Sequence, residues 1–182
     1  MKLVFLVEER SMKTLLEGIL PRILPEGVYF QVIPHEGKSD LERSVPIKLR
    51  AWLEPDVRFV IVQDQDSNDC KELKRKLVHL AEPYGKPFLV RIACHELEAW
   101  YFGDLPALDK VYGKDLTTLC QKEKYRNPDS IVSPKAELRR LIPEHKQIEG
   151  ARNLAPNMDI EHNRSRSFNV FVEGVRRMCG EA

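Results

Sequence analysis

Four apolar runs, at residues 3–7, 28–33, 57–62 and 88–93, constrain this chain more than anything else in it. Each is followed by apolar residues at helical spacing. Leu3-Val4-Phe5-Leu6-Val7 holds no polar residue at all, the mark of a strand buried on both faces. Runs of this kind alternating with helices imply an α/β fold: an open, mostly parallel sheet flanked by helices, joined by right-handed crossovers.

The connecting segments carry helix signals. Ser11 is placed to cap a first helix, with Leu15, Leu16, Ile19 and Leu20 on its inner stripe and Pro21 ending or kinking it. Gly37 breaks the second run. Ser39 or Asp40 then starts a second helix towards Trp52, or Pro46 marks its beginning. The spacing of Leu73, Leu77, Leu80 and Ala81 predicts a third helix over about 69–81, and a short one carries 96–102. After Gly103-Asp104 strand-like runs largely disappear. Short helical patterns lie between Pro106, Pro128, Pro134, Pro143 and Pro156. A last helix over about 167–178 puts Phe168, Phe171, Val172 and Val175 on one side. The expected organisation is an α/β core over 1–104 and a helical extension over 105–182 packed on it, as one compact domain of 182 residues.

Bulk properties exclude several classes. The longest apolar runs are far too short to span a bilayer. Glu8, Glu9 and Arg10 interrupt any signal-peptide core, so the expected compartment is the cytosol. Cys70, Cys94, Cys120 and Cys179 form no CxxC pair, against a zinc ribbon or disulfide framework. A net charge of +1 announces no global nucleic-acid field, although basic residues gather between Lys135 and Arg177.

Acidic residues follow three of the four runs: Glu8-Glu9, Asp64-Gln65-Asp66 and Glu96-Leu97-Glu98. In open α/β sheets, ligands sit beyond the carboxyl ends of the strands. Carboxylates gathered there repel one another unless a cation neutralises them, and oxygen-only ligands suit Mg²⁺ or Mn²⁺. If the chain is still extended past the third strand, Asp64 and Asp66 share one face. Glu8 and Glu9 point to opposite faces, so one of them joins the site. Glu96 and Glu98 diverge by roughly 200° on a helix. Glu96, nearer the strand end, is the preferred ligand, with Glu98 as the other candidate. Candidate phosphate contacts are Arg10, Lys38 after Gly37, Lys146, and the pair Arg164 and Arg166. That pair precedes a helix N-terminus, where anions bind readily and where Ser165 or Ser167 can alternatively serve as a plain cap. Lys38 lies in no Walker A loop, and Ser11 has no histidine in a triad pattern.

Val7-Glu8-Glu9 with Ser11-Met12, and Val62-Gln63-Asp64-Gln65-Asp66, resemble the two acidic motifs of the Toprim-like superfamily, whose name joins topoisomerases and primases. This resemblance selects Glu8 over Glu9. Over nearly its whole length the chain resembles a stand-alone bacterial family of Toprim-like proteins of unknown function. The matching pieces include Gly37-Lys38 with Asp40-Leu41, Asp69-Cys70, and Glu96-Leu97-Glu98-Ala99-Trp100 with Gly103-Asp104. Asn127-Pro128, Pro134-Lys135 and Asn163-Arg164-Ser165-Arg166-Ser167-Phe168 complete them. One departure stands out: Glu9 replaces the glycine usual after the first glutamate.

The resemblance implies Mg²⁺-dependent phosphoryl transfer, with relatives that are nucleases paired with separately encoded ATPases in phage defence. The expected function is a metal-dependent nuclease on DNA or RNA. Glu8, Asp64 and Asp66 would hold Mg²⁺ or Mn²⁺, and Lys38 would act with them in catalysis. The alternative is a non-catalytic, metal-binding or regulatory subunit of an ATPase complex; a homodimer is compatible with either. A haloacid-dehalogenase reading fails because its DxD follows the first strand. A receiver-like reading lacks a lysine after a fifth strand.

Overall fold

A computed structural model describes residues 1–180. Four strands, β1 (Lys2–Val7), β2 (Tyr29–Pro34), β3 (Val57–Asp64) and β4 (Phe88–Ala93), form one all-parallel sheet in the order β2-β1-β3-β4. Between them run α1 (Arg10–Ile19), α2 (Lys38–Ala51) and α3 (Cys70–Ala81). After β4 come α4 (Glu98–Phe102), α5 (Leu105–Tyr112), α6 (Glu123–Arg126), α7 (Pro134–Leu141), α8 (Gln147–Leu154) and α9 (Arg166–Met178). The α/β expectation therefore holds, helical C-terminal half included. Among the described residues no helix is long and apolar enough to cross a membrane.

The central strands sort their side chains by alternation. Leu3, Phe5, Val7, Val60 and Val62 face a core shared with α1, α4, α5, α8 and α9. Val4, Leu6, Phe59 and Ile61 face a second core built by α2 and α3. Leu138, Leu154, Phe168 and Phe171 belong to the first of these, so the C-terminal helices complete the cover of one sheet face. Trp100 anchors that layer. Its ring stacks 5.1 Å from Phe171, and its indole N–H donates to Ser167 Oγ at 2.9 Å.

Several helix boundaries depart from the sequence expectation, each for a local reason. Helix α1 starts behind an extended Glu9; Ser11 lies inside the helix, where its hydroxyl donates to the Glu9 carboxylate instead of capping. Gly37, at φ 99°, opens α2, so the helix begins at Lys38, ahead of Ser39 and Asp40. Pro46 sits within α2 rather than at its start. Pro21, by contrast, ends α1 as expected, in a 3-10 turn over Leu20–Arg22. Strand β3 runs two residues past the apolar stretch, pairing Asp64 with Ala93, and this extension places the site.

Candidate metal centre at the carboxyl edge of the sheet

The chain leaves β1 for β2 on one side and β3 for β4 on the other, so the crossovers diverge between β1 and β3. This is the topological switch point, where open α/β sheets leave a crevice for ligands. Glu8 follows β1 directly and Asp64 is the last residue of β3. The two meet across the crevice: Glu8 Oε2 accepts the Asp64 backbone N–H at 3.2 Å.

Their electrostatics are unfavourable without a counter-charge. Burial pushes the Glu8 carboxyl up to about 7, with the charges of Asp66 and Glu9 adding to it and the Asp64 N–H and Lys38 opposing. Asp64 is 7% exposed, and its Oδ1 is buried with no hydrogen-bond donor. Burial first, then Glu8, Glu98 and Glu9, raise its carboxyl well above the ordinary aspartate range. Glu98, 2% exposed, has an unpartnered Oε2 and is pushed by burial up to about 7, with Lys135 opposing. Buried acids with unpartnered oxygens are costly, and either a proton or a cation relieves the cost.

The remaining sequence candidates fall on several sides of this pair. The extended chain ends at Asp64 and Asp66 is left-handed at φ 51°, so the i, i+2 argument does not carry to Asp66, although its charge still acts on Glu8. Its carboxylate instead takes the Lys38 ammonium at 2.6 Å, and this bond holds the Lys38 pKa up. Glu96, the preferred ligand of its pair, accepts the Lys135 backbone N–H at 2.9 Å at the start of α7; Glu98 is the one buried beside Asp64. Glu9 receives the Ser11 hydroxyl and stands 4.0 Å from the Lys135 ammonium.

Arg10 pairs with Glu36 at 3.0 Å and Lys146 with Glu149 at 3.3 Å, while Arg164 donates to the Phe102 carbonyl at 3.2 Å. Arg166 is the exposed first residue of α9. The α9 N-terminus, expected to attract phosphate, already carries an internal anion. Asp129 accepts the Ser165 hydroxyl at 2.6 Å and the Ser167 N–H at 2.7 Å, while Ser165 caps the helix through the Phe168 N–H.

A model of the family DUF4276, a domain of unknown function, matches residues 7–176. The chain belongs to this family. No curated protein and no solved structure matches it. The DUF4276 match takes in Glu8, Asp64 and Glu98 together with the Asn127 and Asn163 segments, so it covers the candidate site and the C-terminal helices that back it.

The donor set suits a hard divalent cation: oxygen ligands only, mutually repelling, one buried lone pair free on Asp64. Among the described residues no three or more His, Cys, Asp or Glu side chains are grouped to hold a metal ion. Mg²⁺ needs no such cage, since it is commonly held by one or two carboxylates plus waters and substrate phosphates. Glu8 and Asp64 are the two carboxylates that this edge brings together across the crevice.

Two functional-looking side chains at this edge escaped sequence reasoning. His35, directly after β2, is 7% exposed, and its Nδ1 lies 2.8 Å from the Val7 carbonyl. Gln147, at the start of α8, meets the Glu8 side of the crevice. His35 had a usable signal, since it follows an apolar run just as Glu8 does. Gln147 had none, because only the packing of α8 on α1 brings it there.

Proposed function

We propose that this chain is a Mg²⁺- or Mn²⁺-dependent phosphodiester hydrolase of the Toprim-like kind, acting on nucleic acid. One observation carries the reading: Glu8 and Asp64 straddle the β1/β3 switch point, bonded to each other, with a buried Asp64 oxygen left free. The motif resemblance supports it. A separately encoded ATPase as companion, and a role in phage defence in the cytosol, draw on that resemblance alone.

In this reading Asp64 and Glu8 hold the ion, and Glu98 keeps the far side of Asp64 acidic. The bound ion supplies Lewis-acid stabilisation of a phosphoryl oxygen and an acidified water. Alternatively Asp64 alone holds the ion, and Glu8, with a carboxyl near 7 when no metal is bound to it, serves as the general base. Lys38 releases Asp66 for a phosphate oxygen and offsets charge developing in the transition state. The test is cleavage of single- and double-stranded DNA and RNA in Mg²⁺ or Mn²⁺, with and without any neighbouring ATPase. Wild type cuts, and Asp64→Asn loses at least about a hundredfold in rate. Equal cleavage by both, or none under any condition, rejects the proposal.

A second reading has its own support. Lys38 already neutralises Asp66, and no three-ligand group is assembled among the described residues. A non-catalytic, cation-binding subunit of an ATPase complex fits those facts. Thermal stabilisation by Mg²⁺ and co-purification with an ATPase, without cleavage, favour it.

A further inference from the structure

The two edges of the sheet are finished differently. On the β4 edge the guanidinium of Arg91 donates to the Val90 carbonyl at 2.9 Å and to the Val170 carbonyl of α9 at 3.0 Å. The Phe59 N–H bonds to the Pro87 carbonyl, so Val90 is one of the β4 residues that face away from β3. A charge on the edge and a helix beside it are common guards against pairing with another chain. The β2 edge has no such charge: Val28-Tyr29-Phe30-Gln31-Val32-Ile33-Pro34 is uncharged throughout.

Two backbone bonds fix which residues of β2 face outward. Tyr29 N–H donates to the Met1 carbonyl at 3.2 Å, and His35 N–H to the Val7 carbonyl at 3.0 Å. Alternate residues of a parallel strand bond to one neighbour, so Tyr29, Gln31 and Ile33 turn their N–H and C=O to β1. Phe30 and Val32 turn theirs away. Among the described residues no group of the chain bonds to them on that side. Strand amides left out of a ladder meet water or another strand. The edge is open to approach: Tyr29 is 73% exposed, and it lines a surface depression with Phe30 and Gln31.

This short row is complementary to itself. Laid antiparallel on a second copy about Gln31, Phe30 exchanges both bonds with Val32 of the partner subunit, and Val32 does so with Phe30 of the partner subunit. Every outward N–H and C=O of the four residues is then answered. Neighbouring registers do worse. Centring on Phe30 sets the Val32 carbonyl against Val28, whose N–H already bonds to the Pro25 carbonyl at 3.3 Å. Centring on Val32 sets the Phe30 carbonyl against Pro34, which has no N–H. The register about Gln31 also lays the exposed Tyr29 ring on Ile33 of the partner subunit, an aromatic against a β-branched side chain. The Gln31 side chains meet amide to amide.

We infer that the chain forms a twofold dimer through its β2 edge, a second copy being the occupant, with Gln31 on the axis of a continuous eight-stranded sheet. The two copies run antiparallel, so their candidate metal centres open in opposite directions. The inference does not depend on the phosphodiester reading.

The experiment is analytical ultracentrifugation of the full chain between about 1 and about 100 µM, a range that brackets micromolar affinity. Wild type passes from monomer to dimer within it. Gln31→Lys sets like charges opposite each other at an exposed position; it raises the dissociation constant at least about tenfold and leaves the circular dichroism unchanged. Crosslinking then reads the register, in a Cys120→Ser background because Cys120 is exposed. Gln31→Cys oxidises to a disulfide-linked dimer, since opposed Cα atoms of a non-hydrogen-bonded pair lie about 4.5 Å apart. Tyr29→Cys, roughly 14 Å from its own copy in this register, does not. Wild type that stays monomeric at about 100 µM overturns the inference. So does a dimer that Gln31→Lys leaves intact, or one that Gln31→Cys crosslinks no better than Tyr29→Cys.

Discussion

Glu98 puts a carboxyl group where water scarcely reaches, 2% exposed behind Asp64, and its protonation is coupled to folding. Its carboxyl is raised from 4.5 to about 7, so the folded chain keeps this proton where the unfolded chain has lost it. Folding stability then falls as pH rises through that window and is level on either side of it. For Glu98 the full loss is about 3 kcal/mol. Glu8 and Asp64 act in the same direction. His145, lowered by burial and then Arg139, slopes the opposite way below its ordinary 6.5, so the comparison is between variants. In metal-free buffer the melting temperature of wild type falls by several degrees between about pH 5 and pH 8, and Glu98→Gln flattens the slope. A wild-type slope that Glu98→Gln leaves unchanged contradicts this account. Choosing Glu98 over Glu96 was beyond sequence reasoning, because nearness to a strand end does not say which of two diverging side chains meets Asp64. The i, i+2 argument could not place Asp66 for a related reason: it needs extended backbone, and the chain turns left-handed there.

At the scale of elements, the C-terminal motif is a lock between helices. Asn163 donates to the Trp100 carbonyl at 3.0 Å and accepts the Ser165 N–H at 2.8 Å. Gly103 leaves the space for this, since a Cβ there would stand 1.8 Å from Asn163 Oδ1. Asp129, held in the turn that Asn127 caps, closes the N-terminus of α9. The Asn127, Gly103 and Asn163 segments therefore meet in space and join α4 to α9. Asp129→Ala removes the acceptor shared by two serine hydroxyls and one N–H, and costs about 2 kcal/mol. Native-state hydrogen exchange checks it: α9 amides lose protection ahead of those in β1 and β3. Unchanged protection in α9 would show that Asp129 is not the lock. The four strands and the last helix were legible from apolar runs and spacing alone. Helix starts were less so, because Gly37 opening α2 and Glu9 preceding α1 depend on backbone angles that propensity does not encode.

Taken whole, the molecule places its acids by topology. The order β2-β1-β3-β4 puts the ends of β1 and β3 side by side, though the sequence separates Glu8 from Asp64 by 56 positions. Strand-end acids were readable in the sequence. Their pairing was not, since it depends on which strands are neighbours. The C-terminal half then seals the back of the site: Lys135 at the start of α7 fixes Glu96 and stands near Glu9, with Glu98 buried beneath. The most direct measurement is titration of the metal-free protein with Mn²⁺ near pH 8, followed by calorimetry or by the spin resonance of the free ion. Binding is expected in the millimolar range or tighter, weakened at least about tenfold by Asp64→Asn. No binding at millimolar Mn²⁺, or binding that Asp64→Asn leaves unchanged, would contradict it.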